Sequence, residues 1–175
     1  MTIANKNSVS NANLPKPGKF LTFSLGKEVF GIPVLKVREI MRICPVTPVP
    51  KAPAYIQGVI NLRGKIVPVI DLRARLNMAP FHQQDRTCII VVQYINNDGI
   101  HHLMGMIVDS VDEVIFLGAD HISDTPDFGT ILDTRFITGM AESKGKVKTL
   151  LDIDKLITAE GDIQLGLLGL HEAPA

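Results

Sequence analysis

Residues of types that hold metals or move protons fall in a few groups along this chain, and their spacing says what they could do. His101 and His102 are adjacent and follow Asp98, a grouping that could bind a metal ion or serve a small hydrolase. Neighbouring side chains of an extended segment point to opposite faces, so the two imidazoles do not converge, and the run reads as a solvated hairpin loop. Asp109, Asp112 and Glu113 are hard-cation ligand types. Their run lacks the glycine and the alternating oxygen donors of a calcium loop, and reads as a solvated acidic edge. Cys44 and Cys88 sit in apolar surroundings with no CxxC and no histidine at ligand spacing, which predicts buried free thiols. Gly58, Gly64, Gly105 and Gly139 make no GxGxxG or Walker pattern, so they predict backbone positions that need φ > 0 or a close approach. These readings leave no catalytic group, no metal and no cofactor.

Arg63 is different. It is a guanidinium at the tip of an otherwise apolar hairpin, able to hold a carboxylate through two parallel hydrogen bonds. Taken alone it has three readings: an internal pair with Glu39, a solvated turn residue, or a contact at a partner surface.

The elements that must position these residues are short and strand-like. Phe20 to Leu25 and Val29 to Ile32 flank Gly26-Lys27 as a hairpin. Val34 onward predicts a short helical turn running into a strand at Glu39–Ile43, because β-branched Val34, Val37 and Ile40 weaken a longer helix. Pro45, Pro48, Pro50 and Pro53 force a stiff extended connector. Ile56–Leu62 and Lys65–Ile70 predict a second hairpin around Arg63-Gly64, with Pro68 marking an edge position. Asp71 then caps a short helix, and Asn77 to Arg86 is a loop. Cys88–Tyr94 begins a further hairpin whose loop spans Ile95 to Leu103.

The second half repeats the first. Phe30–Ile40 aligns without gaps on Met104–Val114, and Gly58, Gly64, Lys65 and Asp71 align on Gly139, Gly145, Lys146 and Asp152. Turn residues at regular spacing and few helix signals predict an all-β class: two small pseudo-repeated barrels packed on a shared hydrophobic seam, with short helices. The predicted boundaries are a flexible leader at 1–18, a first barrel at about 19–86, a second at about 87–158, and a tail at 159–175. Exchange of strands between the halves is left open. Leu165, Leu167, Leu168 and Leu170 could place an amphipathic helix in the tail, weakened by Gly166 and Gly169.

Composition narrows the function classes. With 18 basic and 18 acidic residues the net charge is +0, two tyrosines are present and tryptophan is absent, so a nucleic-acid-binding barrel with a basic aromatic face is not supported. The Asn- and Ser-rich N-terminus lacks a signal-peptide core, and no apolar run approaches the ~20 residues of a membrane helix. A cytoplasmic protein without direct membrane insertion is expected.

The segment Gly58-Val59-Ile60-Asn61-Leu62-Arg63-Gly64, followed by Val67-Pro68-Val69-Ile70-Asp71-Leu72-Arg73, resembles the CheW family of chemotaxis coupling proteins. Phe30-Gly31-Ile32, Val37-Arg38-Glu39-Ile40, the block Met104–Val114 and Phe136-Ile137-Thr138-Gly139 extend that resemblance over about Lys19 to Ile157. It implies two five-stranded SH3-like barrels and a non-catalytic adaptor. The partners it implies are the regulatory domain of a CheA-type histidine kinase and the cytoplasmic hairpin tip of chemoreceptors, in arrays at the inner membrane face. A sibling pathway such as twitching motility or development is the alternative setting. The resemblance places Val37, Glu39, Gly58 and Arg63 at the partner-binding region of the first half, and Cys88, Gly105, Val111 and Val114 at that of the second.

Overall fold

The computed structural model describes residues 15–80, 83–125 and 135–158. Most of the expected leader and the whole of the expected tail helix lie outside these residues. The chain runs β1 (Gly18–Leu25), β2 (Glu28–Pro33), a 3₁₀ turn (Val34–Lys36), β3 (Val37–Arg42), β4 (Ile56–Leu62), β5 (Lys65–Asp71) and α1 (Leu72–Arg75). It continues with β6 (Cys88–Ile95), β7 (His101–Val108), β8 (Ser110–Leu117), a second 3₁₀ turn (Ala119–His121), β9 (Ile122–Ser123), β10 (Ile137–Ser143), β11 (Lys146–Leu151) and α2 (Ile153–Thr158).

Local chemistry explains the turns and caps. Arg63 and Gly64 have φ of +49° and +85°, and Lys144 and Gly145 have +54° and +75°, so both two-residue hairpins have the left-handed pair that matches strand twist. The Asn61 side chain accepts a hydrogen bond from the Gly64 amide at 2.8 Å and steadies the first of them. The Asp71 carboxylate accepts from the amides of Arg73 and Ala74, and that of Asp152 from the amide of Lys155, capping α1 and α2 in the same way.

Two sheets result, in the orders β8-β1-β2-β11-β10-β9 and β3-β6-β7-β5-β4. Neither is built from one half of the chain. The β1–β2 hairpin of the first half lies among β8 to β11, and the β6–β7 hairpin of the second half lies among β3 to β5. The pairings correspond in detail. β11 joins β2 in parallel with Leu150 opposite Gly31, and β5 joins β7 in parallel with Val69 opposite Gly105. Register shifts fall at Ile56/Gly58 and at Ile137/Gly139, and Thr47 bridges Val59 as Ser123 pairs with Met140.

The core follows from this exchange. Ile89, Val91, Ile107, Val67, Val69 and Ile60 fill the inner face of the five-stranded sheet, and Phe20, Ile115, Leu117, Ile122, Ala141 and Leu150 that of the six-stranded one. The alternate residues of the same exchanged strands, Leu21, Phe23, Leu25, Ile90, Val92, Tyr94, Met104, Met106 and Val108, meet in the larger cluster between the sheets. Each exchanged strand is therefore buried on both faces, one in its adopted sheet and one in the seam. Phe136, Ile153, Leu156 and Ile157 close the seam from the α2 side.

Two expectations are corrected. Pro68 lies on β5, which is flanked by β4 and β7 and is not an edge. It is tolerated because its partner Val59 turns its amide and carbonyl to Thr47, both bonds 2.9 Å, so Pro68 faces away from β4, and the ladder to β7 begins one residue later at Val69. The β6–β7 loop is also shorter than expected. It covers residues 96–100, closed by an Asn96–Ile100 backbone bond, so His101 and His102 belong to β7 opposite Ile95 and Tyr94.

The exchange carries a prediction. Fragments 1–86 and 87–175, expressed separately, are each expected to show little strand signal by circular dichroism, because each lacks the hairpin that fills its sheet. Mixed, they should recover the spectrum of the intact chain. A fragment that folds alone with a cooperative melt would show that the exchanged hairpins are dispensable.

Candidate functional site

Glu39 and Arg63 come together. A bulge between Val37 and Glu39 re-aims β3 beside its partner β6, and the β4–β5 turn holds Arg63 at the other margin of the same sheet. Arg63 donates to both oxygens of Glu39, Nη2 to Oε2 at 2.6 Å and Nη1 to Oε1 at 3.3 Å. The hydrogen bonding to Glu39, then the carboxylate's charge, raises the guanidinium pKa above its ordinary value. The Arg63 side chain nevertheless stays 75 % exposed, against 29 % for Glu39. Two of five donors are used, so the guanidinium is oriented by Glu39 while three donors still face outward. The internal-pair reading and the surface reading of Arg63 are thus compatible.

The repeat supplies a second pair. Glu113 occupies on β8 the place of Glu39, and Lys144 occupies in the β10–β11 turn the place of Arg63, with Nζ 2.9 and 2.8 Å from the two Glu113 oxygens. The bond from Lys144 is the main reason the Glu113 carboxyl lies below its usual range. The Thr22 hydroxyl, at the bulge between β1 and β8, donates to the Glu113 carbonyl at 2.8 Å and accepts from its amide at 3.2 Å, fixing that residue. Exposed apolar side chains also recur in register: Ile40 and Ile66 with the first pair, Val114 and Val147 with the second, where Phe116 adds a third. Sequence reasoning passed over Lys144, Phe116 and Val147, although extending the repeat by the same offset finds the first and last of them.

The other expected site residues divide by burial. Val37 and Val111 are half-buried and pack against the central core at the starts of β3 and β8. Cys88, expected to be buried, is half-buried at the start of β6, as is Cys44 before the Thr47 bridge, because each lies at the rim of a core cluster. Burial pushes the Cys88 thiol up, opposed by a hydrogen bond with the Val111 backbone, which places these two together. Gly58 and Gly105 are buried and shape strands. A Cβ on Gly58, at φ +144°, would stand 2.0 Å from the Thr47 carbonyl oxygen. One on Gly105 would meet Ile89 at 3.0 Å and Val69 at 3.3 Å. Of the eight, Arg63 and Val114 are openly exposed.

The acidic run is structural in part. Asp109 receives two hydrogen bonds from Arg73, that from Nε at 3.0 Å, and one from the Gly26 amide at 2.6 Å, tying α1 and the β1–β2 turn to the β7–β8 corner. Burial tends to raise the Asp109 pKa, but Arg73 and Gly26 outweigh it and the net shift is downward. A lowered carboxyl stabilises the fold above its unfolded pKa of about 3.9 and loses that contribution as pH falls through the lower folded value. Asp109→Asn is expected to cost about 1–2 kcal/mol at pH 7. That cost should shrink as pH is taken below about 4, read as converging melting curves of variant and wild type. A gap that stays constant down to the acid transition would contradict this.

His102 stacks on Tyr94 with centroids 5.5 Å apart, and its Nε2 is 3.5 Å from Asp98, too long for a good hydrogen bond. Burial, with a smaller effect of Asp98, raises the Tyr94 hydroxyl to about 12. Among the described residues no three His, Cys, Asp or Glu side chains are grouped to hold a metal ion. No helix among them is long and apolar enough to cross a membrane.

A feature the sequence reading did not locate is an apolar groove of about 630 Å³ beside the first 3₁₀ turn. Phe20, Val34, Leu35, Leu151 and Ile153 line it, with Pro15 and Pro17 along one wall. Leu35 stands 86 % exposed there. The signal in the sequence was Leu35 itself, an apolar residue between two turn positions with no strand partner.

Residues 19–161 match the CheW-like domain family. The chain belongs to that family. Among its relatives is chemotaxis protein CheW of Klebsiella aerogenes, 37% identical over 142 residues that cover 81% of this chain and 82% of that protein. Chemotaxis protein CheW of Rhizobium meliloti is 33% identical over 81% of this chain and 88% of its own length. The crystal structure of the scaffolding protein TtCheW from Thermoanaerobacter tengcongensis superposes with a TM-score of 0.73 at 34% identity, covering 83% of this chain and 95% of that one. The CheW-like match ends at residue 161, so the leucines at 165, 167, 168 and 170 lie beyond the shared domain.

Proposed function

We propose that this CheW-like chain is a non-catalytic scaffold of a chemotaxis signalling system, coupling chemoreceptors to a CheA-type histidine kinase in the cytoplasm at the inner membrane face. The observation that carries the reading is the oriented but exposed Arg63: Glu39 fixes its plane and leaves outward donors for a partner carboxylate. Likeness to chemotaxis proteins along four-fifths of the chain supports the setting.

In this reading the two halves of the site do different work. The Glu39–Arg63 margin, with Ile40 and Ile66, meets the kinase regulatory domain. The groove at Val34, Leu35 and Ile153 takes one apolar face of a receptor-tip helix, as an amphipathic helix enters a hydrophobic trough. Individually modest contacts suffice, since an array multiplies them. A relative under a different name, protein FrzA of Myxococcus xanthus at 27% identity, supports a second setting in which the same scaffold serves a sibling pathway.

The test is reconstitution. Kinase, receptor and this chain are combined on vesicles, and phosphorylation is followed with and without attractant. Receptor-dependent kinase control that vanishes when the chain is left out is the expected result. Control that does not need the chain would refute the proposal.

A further inference from the structure

Arg75 puts a charged group where the repeat puts an apolar one. It is the last residue of α1 and is 8 % exposed. Its guanidinium carbon lies 5.0 Å from the centroid of the Tyr55 ring and 4.7 Å from that of Phe136, and both rings pack in the cluster between the sheets. Its Nε donates to the Leu156 carbonyl at 2.8 Å. The offset that aligns Gly58 on Gly139 also aligns Tyr55 on Phe136 and Arg75 on Leu156, so the two rings are equivalent and the arginine stands opposite a leucine. Burying a guanidinium costs free energy that a second leucine would not. The two rings and the carbonyl offset that cost, and what the arginine adds over a leucine is direction.

The tie runs from one sheet to the other. Tyr55 leads into β4, and its carbonyl accepts from the Asp71 amide at 2.8 Å, at the start of α1. Phe136 leads into β10, and its carbonyl accepts from the Asp152 amide at 2.8 Å, at the start of α2. Tyr55 and α1 therefore go with the five-stranded sheet, Phe136 and α2 with the six-stranded one. The backbone itself passes between the sheets at the β2–β3 and β7–β8 crossings, with the Lys36–Asp154 and Arg73–Asp109 pairs beside them. Arg75 adds a connection made by a side chain alone. Apolar packing is non-directional and sets the angle between the sheets loosely, whereas a planar guanidinium stacked on two rings and bonded to a carbonyl is satisfied over a narrow range of angles. We propose that Arg75 is a positioning residue, a clamp across the seam that holds the two sheets at one angle and so keeps the Arg63 and Lys144 margins at one spacing. The clamp stands on the contacts of Arg75; its bearing on signalling rests on the scaffold reading above.

Spin labels at Ile66→Cys and Val147→Cys, equivalent exposed positions on the two sheets, report the angle as a distance distribution in the full chain carrying Cys44→Ala and Cys88→Ala. A single narrow distribution is expected, and Arg75→Leu, which copies the second repeat, should broaden it about twofold or more. Tyr55→Leu keeps the guanidinium and its bond to Leu156 but removes one ring. It should broaden the distribution too, and it carries the test if Arg75→Leu melts too low to measure. Arg135→Leu is the control: it takes an exposed guanidinium off the same Phe136 ring, 5.2 Å from its centroid, and should leave the width unchanged. Folded Arg75→Leu or Tyr55→Leu with an unchanged width overturns the clamp, as does equal broadening by Arg135→Leu. In the reconstituted system, Arg75→Leu is expected to bind the kinase within about twofold of wild type while losing about fivefold or more of receptor-dependent control. Broadened distances with full control would keep the clamp and reject its part in signalling.

Discussion

Gly58→Ala is expected to lower the melting temperature by about 8–15 °C, the largest effect of adding a methyl group at any of the described glycines. The added Cβ would lie 2.0 Å from the Thr47 oxygen and 2.6 Å from its carbonyl carbon, and both are backbone atoms. They cannot move without breaking the paired 2.9 Å bonds between Thr47 and Val59 that anchor the proline-rich connector to β4. An L residue is also strained at φ +144°. Steric overpacking and backbone strain cost about 1–3 kcal/mol each, so a loss of about 3 kcal/mol or more is expected. Gly64→Ala is the control. It too has positive φ, at +85°, but nothing lies within 4 Å of its added Cβ, so strain alone should cost about 1 kcal/mol. Thermal melts of the two variants decide the matter, and equal losses would contradict the close approach at Thr47. Any failure of Gly58→Ala to bind partners then reports a damaged scaffold.

Arg63→Ala is expected to do the opposite: to weaken kinase binding at least about tenfold while the melting temperature moves by no more than about 2 °C. The pair with Glu39 is exposed on the Arg63 side and contributes little to folding, whereas the outward donors are what a partner would lose. Glu39→Ala tests the mechanism further. If Glu39 acts by orienting the guanidinium, its loss should add little to that of Arg63→Ala in a double-mutant cycle. Additive losses would show that Glu39 makes its own contact. Lys144→Ala, the counterpart in the second pair, separates the two margins: kinase binding that falls equally in both variants would mean that the site spans both sheets. Normal kinase binding by Arg63→Ala would sink the assigned role.

Most elements were legible because their signals are local. Gly26-Lys27 and Arg63-Gly64 specify turns through their own backbone preferences and Asp71 a cap through its carboxylate, and the structure shows hairpins and a helix there. The Glu39–Arg63 pair was legible as one of three readings, since β3 and the β4–β5 turn lie 24 residues apart and nothing local brings them together. Pro68 was misread for a related reason. The rule that proline sits on edge strands concerns one missing donor, and here the neighbouring ladder starts one residue later. The histidines were assigned to a loop because polar Asn96 to Gly99 masked the short turn, and His102 gains its place from Tyr94 across the strand pair.

By itself the sequence determined that the protein is all-β, that it contains two equivalent units, and which family it resembles, because turn chemistry, alternation and repeats are properties of neighbouring residues. Tertiary structure alone decided which copy each hairpin joins. The two copies present similar strands with the same glycine contacts, Gly31 to Leu150 and Gly105 to Val69, so pairing within a half and pairing across halves look alike locally. The choice is made by the seam, where the second faces of β1, β2, β6 and β7 bury Phe23, Ile32, Ile90 and Met106 together once the hairpins are exchanged. The groove beside Leu35 is decided the same way, since its walls come from β1, β11 and α2, which meet only in the folded chain.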